Sequence, residues 1–239
     1  MTHTKLGRTL LGAALTVVLS TFTLAPAHAE ALPVITWEGT ITDGATYTYG
    51  EVPAAAEQVC SATEDALAVD CTVTGYDAGL GTHELPATAV SATNAELVAQ
   101  ETITYTVVSK YSYGNGFLPP AKSGKTYKAG RTIPLKFKLW EGGDKVKSPT
   151  AVTSIMAQQY VCGDPAMTTV GDPVAVTGNG KGTQLRFRHG AFHQNWKTSR
   201  LPKPAKVKVK GKKVPVPVCY MVTVTMDDTS TLSAQFMLR

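Results

Sequence analysis

Few residue types in this chain, at the spacings they occupy, can do chemistry. Beyond residue 29 the histidines are His83, His189 and His193. No Gly-x-Ser-x-Gly string accompanies them, and none sits in a signature where a histidine base, oriented by an acid, would activate a serine. The reading is therefore of a protein that is not an enzyme. His189 and His193 are four apart, a spacing that on a helix turns two imidazoles toward one zinc ion. Gly190 and the alternation around it oppose a helix, and four residues of strand span about 13 Å, too far for one zinc. Both histidines read as exposed loop residues, and no metal site is expected. Calcium would suit the carboxylate-rich first half, but no Asp-x-Asp-x-Asp string occurs there and no cofactor is expected.

The cysteines and the lysines are more informative. Cys60, Cys71, Cys162 and Cys219 can pair in three ways. Pairing Cys60 with Cys71 and Cys162 with Cys219 keeps each bridge within one half of the chain, and such links contribute about 3 to 4.7 kcal/mol. Between Lys197 and Lys213 stand Lys197, Arg200, Lys203, Lys206, Lys208, Lys210, Lys212 and Lys213 with no acid among them. Lys206, Lys208 and Lys210 alternate with Val207 and Val209, Gly211-Lys212 reads as a turn, and Pro215 and Pro217 confine the returning strand to a sheet edge. A protruding hairpin follows, with Lys203, Lys206, Lys208, Lys210, Lys212 and Lys213 as anion-binding candidates. Edge lysines also serve simply to block strand-to-strand aggregation.

Strands must position these residues. In Glu101 to Val107, Ile103, Tyr105 and Val107 share one face, and in Ile133 to Leu139 the inward set is Ile133, Leu135, Phe137 and Leu139. Leu185 to Arg188 and Tyr220 to Met226 alternate likewise, and Ala66 to Val73 reads as strand around Cys71. Turns fall at Asp43-Gly44, Glu141 to Asp144, Gly178 to Gly180 and Asp227-Asp228. The fold class is all-β: two β-sandwich, Ig-like domains in tandem after a signal peptide.

Residues 1–29 read as that signal peptide, with Lys5 and Arg8 before an apolar run from Leu10 to Leu19 and small residues at Ala27 and Ala29. The run is too short for a membrane span, and no later window approaches one. From Glu30 to Ser109 there are 12 acids and no Lys or Arg; from Lys110 to Arg239 there are 21 Lys plus Arg and 6 acids, a charge of +15. That switch places a boundary at Ser109-Lys110, giving an acidic domain over 30–109 and a basic domain over 110–239. Opposite charges on the two halves also predict weak electrostatic self-association.

Two resemblances attach to these halves. Asp43-Gly44-Ala45-Thr46-Tyr47-Thr48-Tyr49-Gly50, Cys60, Cys71, Gly79-Leu80-Gly81-Thr82-His83 and the Thr102 to Val107 strand resemble bacterial extracellular Ig-like repeats of the HYR type. That resemblance implies a disulfide between nearby strands. Glu84-Leu85-Pro86 departs from the family's alternating β-branched residues. The basic half resembles the PxKD module found at the C-terminus of secreted actinobacterial proteins, through Tyr111-Ser112-Tyr113, Gly116-Phe117, Tyr127 to Phe137, Cys162, Trp196-Lys197-Thr198 and Cys219. The family implies no catalytic residues, and the Ser199 to Val218 segment is an insertion relative to it, carrying the lysine hairpin. Together these features imply a secreted, non-catalytic structural or binding module of the cell surface or its surroundings. The alternative is an anion-binding adhesin that uses the Lys197 to Lys213 hairpin on a cell-wall or other extracellular polymer. An uncharacterised enzyme is the remaining, disfavoured reading.

Overall fold

The computed structural model describes residues 31–176, 184–198, 201, 205–209 and 212–239. The expected signal peptide, the Gly178 to Gly180 turn, and Lys203 and Lys210 of the hairpin lie outside the described residues. Residues 32–239 belong to one compact unit.

Seven strands occupy the acidic half: β1 Val34–Trp37, β2 Ala45–Thr48, β3 Cys60–Glu64, β4 Leu67–Val69, β5 Cys71–Val73, β6 Gly81–Val90 and β7 Val98–Val108. They form two sheets, ordered β1-β3-β4 and β2-β7-β6-β5. The alternation of β7 sends Ile103, Tyr105 and Val107 inward against Leu85 and Ile41, which make up a small core. The stretch from Ala66 to Val73, expected as strand throughout, divides at Asp70: β4 pairs with β3 and β5 pairs with β6. Asp65 and Ala66, both at positive φ, fold a tight turn back onto β3, and the chain then leaves for the second sheet. The Cys60–Cys71 disulfide, with its Cα atoms 5.7 Å apart, consequently ties one sheet to the other.

Thirteen strands follow: β8 Tyr111–Ser112, β9 Lys125–Tyr127, β10 Thr132–Phe137, β11 Trp140–Glu141, β12 Asp144–Lys145, β13 Val152–Tyr160, β14 Thr169–Ala175, β15 Arg186–Arg188, β16 Ala191–Lys197, β17 Lys206–Val209, β18 Lys212–Pro215, β19 Val218–Met226 and β20 Thr231–Leu238. The larger sheet runs β14-β13-β19-β20-β9, and a second runs β10-β16-β15. Their inner faces enclose Leu135, Phe137, Phe192, Trp196, Tyr220 and Phe236. The rings interlock: Phe137 stacks on Phe192 at 5.3 Å, and Trp196 meets both Tyr220 and Phe236 edge to face. Such pairs add to the burial of the aromatic surface itself. Cys162, just past β13, is joined to Cys219 of β19, the strand beside it. The disulfide therefore fastens two neighbours in one sheet, unlike the first.

Both sandwiches carry the same device near their start, around β2 and β9, written twice in the sequence as Asp43-Gly44-Ala45-Thr46-Tyr47-Thr48-Tyr49-Gly50 and Ser123-Gly124-Lys125-Thr126-Tyr127-Lys128-Ala129-Gly130. In each, a short strand lies parallel to the last strand of its half, β2 on β7 and β9 on β20. Three bonds recur in both copies. Gly44 N–H donates to the Thr104 carbonyl at 2.7 Å and Gly124 N–H to the Gln235 carbonyl at 2.8 Å. The Asp43 carboxylate accepts from Thr104 N–H, where Ser123 Oγ accepts from Gln235 N–H. Tyr47 and Tyr127 hydroxyls accept from the N–H groups of Thr42 and Lys122, both at 3.2 Å. Gly44 and Gly124 have φ of 72° and 75°, a region where a Cβ is unfavourable. A parallel strand set against the last one leaves that strand without a free edge.

Ser109 and Lys110, where the charge changes sign, are pinned to the β19–β20 turn. Asp228 is fully buried and accepts from Ser109 Oγ at 2.6 Å and Lys110 N–H at 3.1 Å through one oxygen. Its other oxygen accepts from the Ser230 N–H and hydroxyl. The Lys110 ammonium reaches Asp227 at 3.3 Å and Glu141 at 3.8 Å.

Candidate anion-binding site

The lysine segment forms a hairpin, but one built differently from the sequence expectation. β17 and β18 pair only with each other, as a two-stranded sheet separate from the sandwich sheets. Pro215 does lie on an edge strand, as expected, but the edge belongs to this ribbon and not to a sandwich sheet. Pro215 ends a ribbon and Pro217 lies in the short link to β19, positions where a missing N–H removes no ladder bond. Val209 stands opposite Lys212, so Lys212 belongs to β18 and not to the expected Gly211-Lys212 turn; residues 210 and 211 lie outside the described residues.

Register then sorts the candidates. Lys206 faces Pro215 and Lys208 faces Lys213, so Lys206, Lys208 and Lys213 share one face of the ribbon. Lys212 falls on the other face with Val214. All four described lysines are exposed. Two like charges directly opposite one another destabilise a strand pair, and an isolated two-stranded ribbon is marginal in water. Among the described residues the ion pairs are His83 with Asp77 and Lys110 with Glu141 and Asp227, so no acid relieves the Lys208–Lys213 contact.

His189 is exposed in a turn, as expected, whereas His193 is not. His83 is half-buried against the Tyr105 ring, with Nε2 2.8 Å from the Gly79 carbonyl and Nδ1 3.7 Å from the Asp77 carboxylate. Tyr105 donates its hydroxyl to the Asp77 carbonyl at 2.6 Å, so this cluster fastens the loop before β6. His193 lies on β16 and is half-buried, not an exposed loop residue. His189 sits in the β15–β16 turn at φ 49°, and that turn folds its ring to 6.4 Å from His193. The extended-strand spacing of about 13 Å does not apply. Among the described residues no group of three or more His, Cys, Asp or Glu is placed to hold a metal ion.

Sequence reasoning missed a second basic surface. Arg186 faces His193 across β15–β16, and His193 faces Lys136 across β10–β16, so one row over the three strands reads Arg186, His193, Lys136. Arg188 follows two residues beyond Arg186 on the same face. Gln184, Arg186, Arg188, His193 and Asn195 line a polar hollow of about 190 Å³. Burial lowers the His193 pKa first, Lys136, His189 and Arg188 lower it further, and a hydrogen bond with the Arg188 backbone acts in the opposite sense. Alternation in Arg186-Phe187-Arg188 and His193-Gln194-Asn195 was visible in the sequence. The pairing that places Lys136 beside residues more than 50 positions away was not.

No family model matches the chain, and no curated protein matches it. Solved structures similar to it include an I-band fragment of titin at 10% identity, covering 88% of this chain and 66% of that one, with a TM-score of 0.24. Extracellular domains 3–5 of Drosophila OTK align at 11% identity over 86% of this chain and 61% of theirs, with a TM-score of 0.23. A tandem pair of titin Ig domains aligns at 9% identity over 87% and 95%, with a TM-score of 0.22. At these scores the likenesses carry no argument, and the description of two sandwiches rests on the sheets and cores themselves.

Proposed function

We propose that this chain is an exported, non-catalytic module in which an acidic HYR-like domain over 30–109 precedes a basic PxKD-like domain over 110–239. In this reading it serves as a structural or binding element at the cell surface or in the secreted milieu. Two disulfides support an oxidising destination. No helix among the described residues is long and apolar enough to cross a membrane.

A specific observation favours the adhesin form of this reading, in which the basic half attaches to an anionic extracellular polymer. Lys208 and Lys213 face each other on a ribbon that joins neither sandwich sheet. Each ribbon strand has a free outer edge that lysines can protect, but edge protection does not call for two lysines directly opposite each other, a pairing that destabilises the ribbon unless an anion lies over it. Reversing Lys206, Lys208 and Lys213 to Glu tests this on an immobilised heparin-like matrix. Retention at low ionic strength should fall sharply, with the thermal midpoint of the sandwich unchanged. Equal retention of parent and variant would remove the hairpin from the account.

A further inference from the structure

We propose that the outer face of the β10-β16-β15 sheet is a second anion site, distinct from the hairpin, which takes the phosphate groups of a linear, base-free extracellular phosphodiester polymer. The inference rests on the reading of the basic half as anion-binding and gives it a ligand chemistry and a place.

Three features of the face carry it. First, it concentrates charge without relief: Arg186 and Lys136 flank His193 in one cross-strand row, with neighbouring strands about 4.8 Å apart. None of these cations has an acidic partner among the described ion pairs. Like charges in such a row repel, and an anion laid across them turns that repulsion into attraction. Second, the hollow is lined with donors. Two guanidiniums bring five N–H groups each, and the Gln184 and Asn195 amides add more. One arginine fork satisfies a planar carboxylate, whereas a tetrahedral phosphate presents oxygens in several directions and is met by donors from two strands. Third, no Phe, Tyr or Trp lines the hollow, so a base would find only the His193 ring and the guanidinium planes to stack on. Phe187 packs edge-on against the buried Phe192, and Trp196 points into the core, so the large aromatic platforms of single-strand binders are turned away from this face. Arg186 and Arg188, two residues apart on one strand, stand about 6.7 Å from each other along it and can engage successive charges of a polymer.

His193 reports occupancy. It is surrounded by Lys136 on β10, Arg186 and Arg188 on β15 and His189 in the turn, with Lys145 beside Gly190. A phosphate placed among them favours the imidazolium and raises the His193 pKa.

The test uses the mature chain with inorganic polyphosphate and poly-glutamate of matched charge as probes. Parent, Arg186→Ala/Arg188→Ala and a hairpin variant, Lys206→Glu/Lys208→Glu/Lys213→Glu, are compared by binding isotherm and histidine NMR. The arginine variant should bind polyphosphate at least about tenfold more weakly, with a slope of log affinity on log salt shallower by about 1.4, the value for two lost single-strand phosphate contacts. The hairpin variant should keep the His193 response, and Arg186→Lys/Arg188→Lys should lose the preference for phosphate over carboxylate. If the arginine variant binds like the parent, if polyphosphate leaves the His193 signals unmoved, or if the two polymers bind parent equally, the sheet site is wrong. In those cases a hairpin variant that loses binding leaves the hairpin reading standing. A parent that binds neither polymer at low salt overturns both.

Discussion

Replacing Asp228 by alanine should destabilise the C-terminal sandwich by about 3 kcal/mol at neutral pH. The carboxylate is fully buried and accepts four hydrogen bonds, from Ser109 Oγ, Lys110 N–H, Ser230 N–H and Ser230 Oγ. A hydrogen bond to a charged group contributes roughly 1.5–3 kcal/mol. Neighbours sharing one acceptor are not additive, so the sum overstates the loss. The larger part comes from the Lys110 and Ser230 N–H groups, which lose their acceptor at about 1–3 kcal/mol each unless water enters. Burial alone would raise the Asp228 pKa, but hydrogen bonds from Ser109, Ser230 and Lys110 outweigh it and hold the group below the usual carboxylate value. A group depressed on folding contributes fully above its unfolded value, about 3.9, and the contribution is lost as pH falls through the folded value. Urea unfolding of parent and Asp228→Ala, at pH 7 and again below about pH 3, should therefore show a gap that is wide at neutral pH and narrows in acid. A gap under about 0.5 kcal/mol at pH 7, or one that stays the same in acid, would refute the claim that this carboxylate pins the linker.

The disulfides should differ in weight. Replacing Cys60 and Cys71 by Ser removes an 11-residue separation and should cost about 3 kcal/mol, while replacing Cys162 and Cys219 removes a 57-residue one and should cost about 4 kcal/mol; equilibrium denaturation of the two double variants measures the order. Gly44→Ala and Gly124→Ala should each cost about 1 kcal/mol, since a Cβ meets nothing within 4 Å at either site and only positive φ opposes it. Thermal melts showing one of them neutral would contradict the equivalence of the two opening units. The −12 and +15 halves should give concentration-dependent association at about 0.01 M salt that vanishes near 1 M, as screening shortens from about 30 Å to about 3 Å; sedimentation that shows the same mass at both would dismiss it.

Strands with one wet face were legible because their own residues carry the pattern. Ile103, Tyr105 and Val107, or Leu135 and Phe137 alternating with Pro134, Lys136 and Lys138, display period two without reference to any partner. What depends on partners was not legible. The left-handed turn at Asp65 and Ala66 returns β4 to β3, and the chain changes sheets only after it, at Asp70, because β5 pairs with β6. The isolation of the lysine ribbon, and with it the true meaning of Pro215, depends on what β17 and β18 fail to pair with. His189 and His193 come together through a turn at Gly190 that strand spacing ignores. The row of Arg186, His193 and Lys136 exists only once β10 is set beside β16. The repeated opening unit is different in kind. Its two copies, Asp43 to Gly50 and Ser123 to Gly130, stand in the sequence, yet only their matching hydrogen bonds show why glycine and tyrosine recur at those offsets.

The central claim, that the basic half of this chain engages an anionic polymer, is tested most directly by equilibrium binding of the chain from residue 30 onward to a labelled heparin-like polysaccharide across a series of salt concentrations. The account predicts binding at low ionic strength whose logarithm falls linearly with that of salt, losing roughly 0.7 in slope for each basic side chain removed from the contact. No binding at low salt, or an affinity indifferent to salt, would contradict it.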